Sequence, residues 1–365
     1  MKFLILPDYS AVDSNPCLFL SQNLITLLTR QRHEAAVCMS RKHFYLKGAS
    51  FYPAPDLPRI VFRSRKVPKT REEELQYAKV SSTAFLQKDL EAIQNAISAY
   101  KPDILIEAGR PAALIASAAS GIECYSFTDY SVLRNRTVPA DAMAGFNAVL
   151  HSEHLEQVLS LSELYRKHSI PILSGPKAIQ PAPEGMDPFR IGSLRITGPS
   201  IQHTKDVCIC MEKPVRSLEK CKSMVRQAWL GAPYHVHAWI KGVEPRETEN
   251  ITFHGTMKPA LASCSAICIH DGNSYLFNQC MVNAVPQIII NDGSYRTSFL
   301  AMAINRTNAG MVIPASDLSM ETLYESYRRI MSDDNYQLCA SALAQECTEL
   351  GGLEAIMPYL FLAKA

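Results

Sequence analysis

One stretch, 268–314, constrains the fold more than any other: CIHDGNSYLFNQCMVNAVPQIIINDGSYRTSFLAMAINRTNAGMVIP. An apolar run at 266–269 stops at the polar turn His270-Asp271-Gly272-Asn273-Ser274. A helical pattern follows, with apolar residues at Leu276, Phe277, Cys280, Met281 and Ala284. A second apolar run at 285–290 then ends in the polar turn at 291–294. Strand, glycine turn, helix and strand in this order make a βαβ unit, which needs a parallel sheet and a right-handed crossover. Its polar residues gather at the carboxyl ends of the strands, where open α/β sheets bind ligands and a helix start can hold a phosphate. The segment therefore predicts a nucleotide-type site.

The rest of the chain is read around that unit. Apolar runs at 3–6, 35–38, 103–106 and 123–126 read as strands, 59–62 and 147–150 as further candidates. Helices are expected after Asn15-Pro16, and near 84–99, 112–120 and 153–167. Residues 51–69, rich in proline and basic side chains, read as an exposed loop. Prolines and glycines then crowd 171–199, the best linker in the sequence. Beyond it strands are expected at 207–211, 235–240, 251–253, 266–269, 285–290 and 311–313. Helices are expected at 217–230 and 298–305, and within 320–350 and 353–362. At 365 residues the chain exceeds one comfortable core. Domains at 1–175 and 201–350, a linker at 176–200 and a C-terminal helix at 351–365 packing back on the first domain are expected.

A hydrophobic content of 47% with 20% charged residues describes a globular chain, and a net charge of +2 gives no basic field for nucleic acid. No apolar run reaches the roughly 18–20 residues of a spanning helix, and the short apolar start does not read as a secretory signal. A cytoplasmic location is expected. Eleven cysteines lie scattered through apolar runs, which suits reduced thiols used as small hydrophobes. Cys208-x-Cys210 places both side chains on one strand face, poor geometry for zinc, and no metal is expected.

The order of these motifs resembles the inverting nucleotide-sugar glycosyltransferases of the GT-B fold, closest to those that glycosylate antibiotics, lipids and other small molecules. His270–Asn273 and the run Ala284-Val285-Pro286-Gln287-Ile288-Ile289-Ile290 stand where that family has a histidine-glycine turn and a Gly-Val-Pro strand. Asn308-Ala309-Gly310 and Gly351-Gly352 resemble its later glycine motifs, and Thr256-Met257-Lys258-Pro259 its base-facing loop. Asp13-Ser14-Asn15-Pro16 is similar to the His-x-x-Pro turn of the catalytic base, with aspartate in the histidine's place.

The resemblance implies two Rossmann-like domains facing across a cleft, and transfer of a sugar from a UDP- or TDP-sugar to a small-molecule hydroxyl, with inversion and without metal. Asp13 would be the base, a role that requires hydrogen-bond reach of the acceptor hydroxyl; otherwise it is a helix-start acid favoured by the dipole. Asp129 would assist. His254, Gly255, Thr256 and Met257 would meet the base and ribose. His270, Asp271, Gly272, Asn273 and Ser274 would meet the diphosphate, Gln279 the ribose. Asn291-Asp292 or Arg296-Thr297 would hold the sugar.

Several positions depart from the family pattern: Asp271 replaces a histidine unless a one-residue shift restores it, Gln279 replaces a glutamate, and the acid-glutamine pair aligns with Arg296-Thr297, or with Asn291-Asp292 if the loop is shorter. A protein that binds nucleotide or a partner transferase without chemistry is the alternative, and a sugar-nucleotide epimerase is a more distant one. Monomer and homodimer both remain open.

Overall fold

The computed structural model describes residues 1–9, 16–41, 46–58, 66–134, 137–194 and 203–362. They group into two compact units. Unit 1 comprises Met1–Ser174, Gln180–Thr197 and Gly352–Ala365, and unit 2 comprises Gly175–Ile179 and Gly198–Gly351.

Unit 1 is built on seven parallel strands: β1 (Lys2–Pro7), β2 (Glu34–Met39), β3 (Ser50–Pro53), β4 (Ile104–Ala108), β5 (Cys124–Thr128), β6 (Ile170–Ser174) and β7 (Phe189–Ile191). Their order is β3-β2-β1-β4-β5-β6-β7. A parallel sheet is covered on both faces, so its strands read as unbroken apolar runs. In β1 the period of two still sorts the side chains: Leu4 and Leu6 enter one core, Phe3 and Ile5 the other. That second core also takes Leu353, Ile356, Met357 and Leu360 from the C-terminal segment, and Tyr125 donates its hydroxyl to the Tyr359 carbonyl.

Four local expectations change. Residues 147–150 belong to the helix Ala140–Ser152, because Ala142, Met143, Phe146, Val149 and Leu150 recur at helical spacing and are all buried. The next helix starts only at Leu161, where the Ser160 hydroxyl accepts from the Glu163 amide. The loop read at 51–69 opens inside β3, which pairs with β2, and an unforeseen helix, Arg71–Tyr77, follows. The tract 171–199 carries most of β6 and all of β7 and so widens the sheet, since a parallel ladder tolerates Pro171 beside Ser126. The candidate strand at 59–62 lies outside the described residues.

Unit 2 repeats the plan with β8 (Val207–Met211), β9 (Val236–Ile240), β10 (Arg246–Thr248), β11 (Ile251–Phe253), β12 (Ile267–His270), β13 (Gln287–Asn291) and β14 (Gly310–Pro314). Their order is β10-β11-β9-β8-β12-β13-β14, parallel throughout except for the antiparallel β10–β11 pair. Val207, Ile209 and Met211 face one core. Cys208 and Cys210 face the other, beside Cys268 and Cys280. Those four thiols are free and buried, small apolar fillers at a strand–helix interface.

Candidate functional site

Parallel pairing puts the carboxyl ends of β11, β9, β8, β12 and β13 on one edge of the unit 2 sheet. The chain runs from β8 outward through β9 and returns to the other side of β8 at β12. Between these two strands lies the switch point, where open α/β sheets leave a crevice for ligands. The turn after β12 and the residues after β8 meet there.

His270 closes β12 and is fully buried. Its Nε2 lies 2.9 Å from Gln287 Oε1, and its Nδ1 accepts the Gly272 amide at 3.2 Å. Burial pushes this imidazole down to about 4, so it is neutral at physiological pH. Both ring nitrogens are thus engaged in shaping the turn. Gly272 follows with φ +78°, and a Cβ there would fall 2.2 Å from Thr297 Cγ2.

Asn273 caps the helix Ser274–Val282, its Oδ1 accepting from the amides of Tyr275 and Leu276 at 3.0 and 3.1 Å. Two amides expected to face a diphosphate are thus already occupied by a side chain. Asn273 Nδ2 donates to Glu212 Oε2 at 3.0 Å. The Asp271 carboxylate accepts the Lys213 amide, which ties the ends of β8 and β12 together. Burial, with Glu212 nearby, pushes Asp271 up to about 6 against the pull of Lys213.

After β13 the chain makes a second polar turn. Asn291 Oδ1 accepts from the Gly293 amide and the Ser298 hydroxyl. Asp292 Oδ1 accepts the Ser294 amide at 2.9 Å and the Thr297 hydroxyl at 2.7 Å. Burial works to raise Asp292, but these bonds outweigh it and hold the carboxyl below its ordinary value. Arg296 Nη2 donates to the Tyr295 hydroxyl at 3.1 Å. The close approach of Gly272 to Thr297 brings the two turns into contact.

His254 follows β11, with Gly255, Thr256 and Lys258 exposed beyond it. Its Nε2 lies 3.2 Å from His237 Nδ1, and burial holds both imidazoles below their ordinary value. Gln279 is fully buried, and neither its Oε1 nor its Nε2 has a hydrogen-bond partner among the described residues. A buried, unsatisfied amide is rare enough to require a reason. The sheet thus brings the segments around 254–257, 271–274 and 291–297 to one edge, while His270 and Gln279 lie inside the protein.

In unit 1, Asp13 lies outside the described residues. Asp129 caps the short helix Tyr130–Leu133, its Oδ1 accepting the Ser131 amide at 2.9 Å. A polar cluster unforeseen from the sequence sits where β1 and β4 end. Arg110 is buried against Asp89, with Nε 3.2 Å from Oδ2, and its guanidinium lies 5.6 Å from the Tyr9 ring centre. Glu107 is fully buried, accepts from Tyr165 Oη at 3.0 Å, and is pushed up to about 7 by burial. The available signal was an acid inside the apolar run 104–108. Asp8, Tyr9, Ser40, Pro55 and Arg110 line a small concavity at this edge.

No protein-family model matches the chain. A curated relative, the 10-deoxymethynolide desosaminyltransferase of Streptomyces venezuelae, is 30% identical over 90 residues, 25% of this chain and 21% of that protein. The match therefore spans about a fifth of the relative's length. Among solved structures, the glycotransferase of kitacinnamycin superposes with a TM-score of 0.76 at 12% identity, over 100% of this chain and 98% of that one. The glycosyltransferase VinC in complex with DTDP gives 0.72 at 17% identity, over 99% and 98%. Spinosyn rhamnosyltransferase SpnG complexed with spinosyn aglycone gives 0.72 at 14%, over 99% and 100%. These likenesses show the fold: an α/β chain of two Rossmann-like units, as in GT-B glycosyltransferases.

Proposed function

We propose that the chain is a glycosyltransferase that moves a sugar from a nucleoside-diphosphate sugar to a hydroxyl of a small molecule, with inversion and without a metal. The observation that carries this reading is the unit 2 edge. There the switch point, the glycine turn at 271–274 and the polar turn at 291–297 converge on a fold shared over its whole length with a DTDP-bound transferase. Unit 2 would hold the donor, with 254–257 at the base and ribose, and Asn291, Asp292, Arg296 and Thr297 near the sugar. Unit 1 would hold the acceptor, a small molecule of the kind that the SpnG structure, complexed with spinosyn aglycone, contains. Asp13 would take the acceptor proton as the oxygen attacks the anomeric carbon and the nucleoside diphosphate leaves. Asp129 would assist as a second polar group.

Calorimetry with thymidine and uridine diphosphates, followed by turnover of their sugar donors, tests the reading. Wild type should bind at least one diphosphate. Asp13→Ala should keep that affinity and lose about 100- to 10,000-fold in turnover. Failure of both diphosphates to bind at millimolar concentration would defeat the proposal. The buried His270 and the self-capped helix start favour one second reading, a chain that binds nucleotide but transfers nothing. Tight binding with no turnover on any donor would select it.

A further inference from the structure

We propose that Lys213 supplies the positive charge for the donor's diphosphate at the switch point of unit 2. This inference rests on the nucleotide-sugar reading above and assigns a residue to the same site.

The place where a diphosphate would lie is short of the usual sources of positive charge. The imidazole of His270 is buried and neutral, and Asn273 occupies two of the amides at the helix start. Three carboxylates, Glu212, Asp271 and Asp292, stand at the ends of β8, β12 and β13 instead. An anionic ligand there needs a cation to offset them.

Lys213 is placed to be that cation. It lies two residues past the end of β8, at the head of the switch point, and its side chain is exposed. Its backbone is fixed, because its amide donates to the Asp271 carboxylate. Its ammonium is near enough to Asp271 and Asp292 to favour their charged forms. Yet neither acid captures it. Asp292 is satisfied by Ser294 and Thr297, and Glu212 accepts from Asn273. Among the described residues no ion pair within 4.0 Å engages the Lys213 ammonium. A lysine on a flexible stem, held at its backbone and unclaimed at its tip, suits a phosphate as a point charge.

The test is calorimetry with thymidine diphosphate, uridine diphosphate and the corresponding nucleosides on wild type, Lys213→Met, Lys213→Arg and the control Lys222→Met, which alters a lysine paired with Glu219 elsewhere on unit 2. The expected result for Lys213→Met is a loss of about 10- to 100-fold in diphosphate affinity with nucleoside affinity unchanged. Lys213→Arg should retain most of the affinity, and Lys222→Met all of it. Thermal melting should be unaltered, since the side chain is exposed. Wild-type binding of diphosphate with equal affinity in Lys213→Met would overturn this assignment and leave the donor site standing. Failure of wild type to bind either diphosphate would instead remove the nucleotide-sugar reading and this inference with it.

Discussion

Gly272 and Thr297 approach so closely that a Cβ on the glycine would sit 2.2 Å from the threonine Cγ2. The glycine also holds φ +78°, a left-handed conformation that costs other residues about 1 kcal/mol or more. Gly272→Ala should therefore destabilise the protein by about 2–4 kcal/mol, strain and overpacking together. Thr297→Ser removes the offending methyl and keeps the hydroxyl on Asp292, so the double variant should recover part of that loss. Urea denaturation measures both. A Gly272→Ala protein as stable as wild type would show that the two turns are not in contact.

His270 predicts how the protein meets acid. Its folded value of about 4 lies below the ordinary 6.5, so the unfolded chain takes up the proton first. The associated stability is complete above pH 6.5 and is lost as pH falls through 4, on the order of 3 kcal/mol in all. His270→Asn should flatten this acid limb in a series of denaturation curves. An unchanged slope between pH 6.5 and 4 would contradict a buried neutral imidazole.

Glu107 has the opposite sign. Its carboxyl titrates at about 7 when folded against an ordinary 4.5, so the folded chain keeps the proton longer. Its contribution is complete below pH 4.5 and is lost as pH rises through 7, again on the order of 3 kcal/mol. Glu107→Gln, which cannot ionise, should be more stable relative to wild type at pH 8 than at pH 4.5. Equal differences at the two pH values would place the carboxyl in a solvated site.

Asp271 bears on ligand affinity. Burial raises its carboxyl to about 6, with Glu212 adding to the rise and Lys213 opposing it. Above that value the charged carboxylate repels a diphosphate; below it the neutral acid does not. The affinity of Asp271→Asn for thymidine diphosphate should exceed that of wild type at pH 7.5, and the ratio should shrink toward one at pH 5. Taking the ratio cancels the ionisation of the phosphate itself. A ratio independent of pH would put Asp271 away from the ligand.

Much of this architecture was legible from residue order. Runs such as 207–211 and 267–269 are apolar and bounded by turns, as suits a strand buried on both faces. Where the text misled, a local pattern had two physical solutions. The run 147–150 suits a strand by itself, and only its register with Ala142, Met143 and Phe146 makes it a helix face. Prolines in 171–199 suggested a linker, yet a strand pairing through its other residues accepts them.

The site divides in the same way. The succession of apolar run, glycine turn and helix is local, so the sequence by itself determined that a βαβ unit presents His270–Ser274 at the edge of a parallel sheet. Which of those side chains face a ligand is not local. The third dimension decided that His270 turns inward to Gln287, that Asn273 caps its own helix, and that Lys213 arrives from another strand beside Asp271. Burial and hydrogen-bond partners depend on residues tens of positions away, and chain order carries no record of those distances.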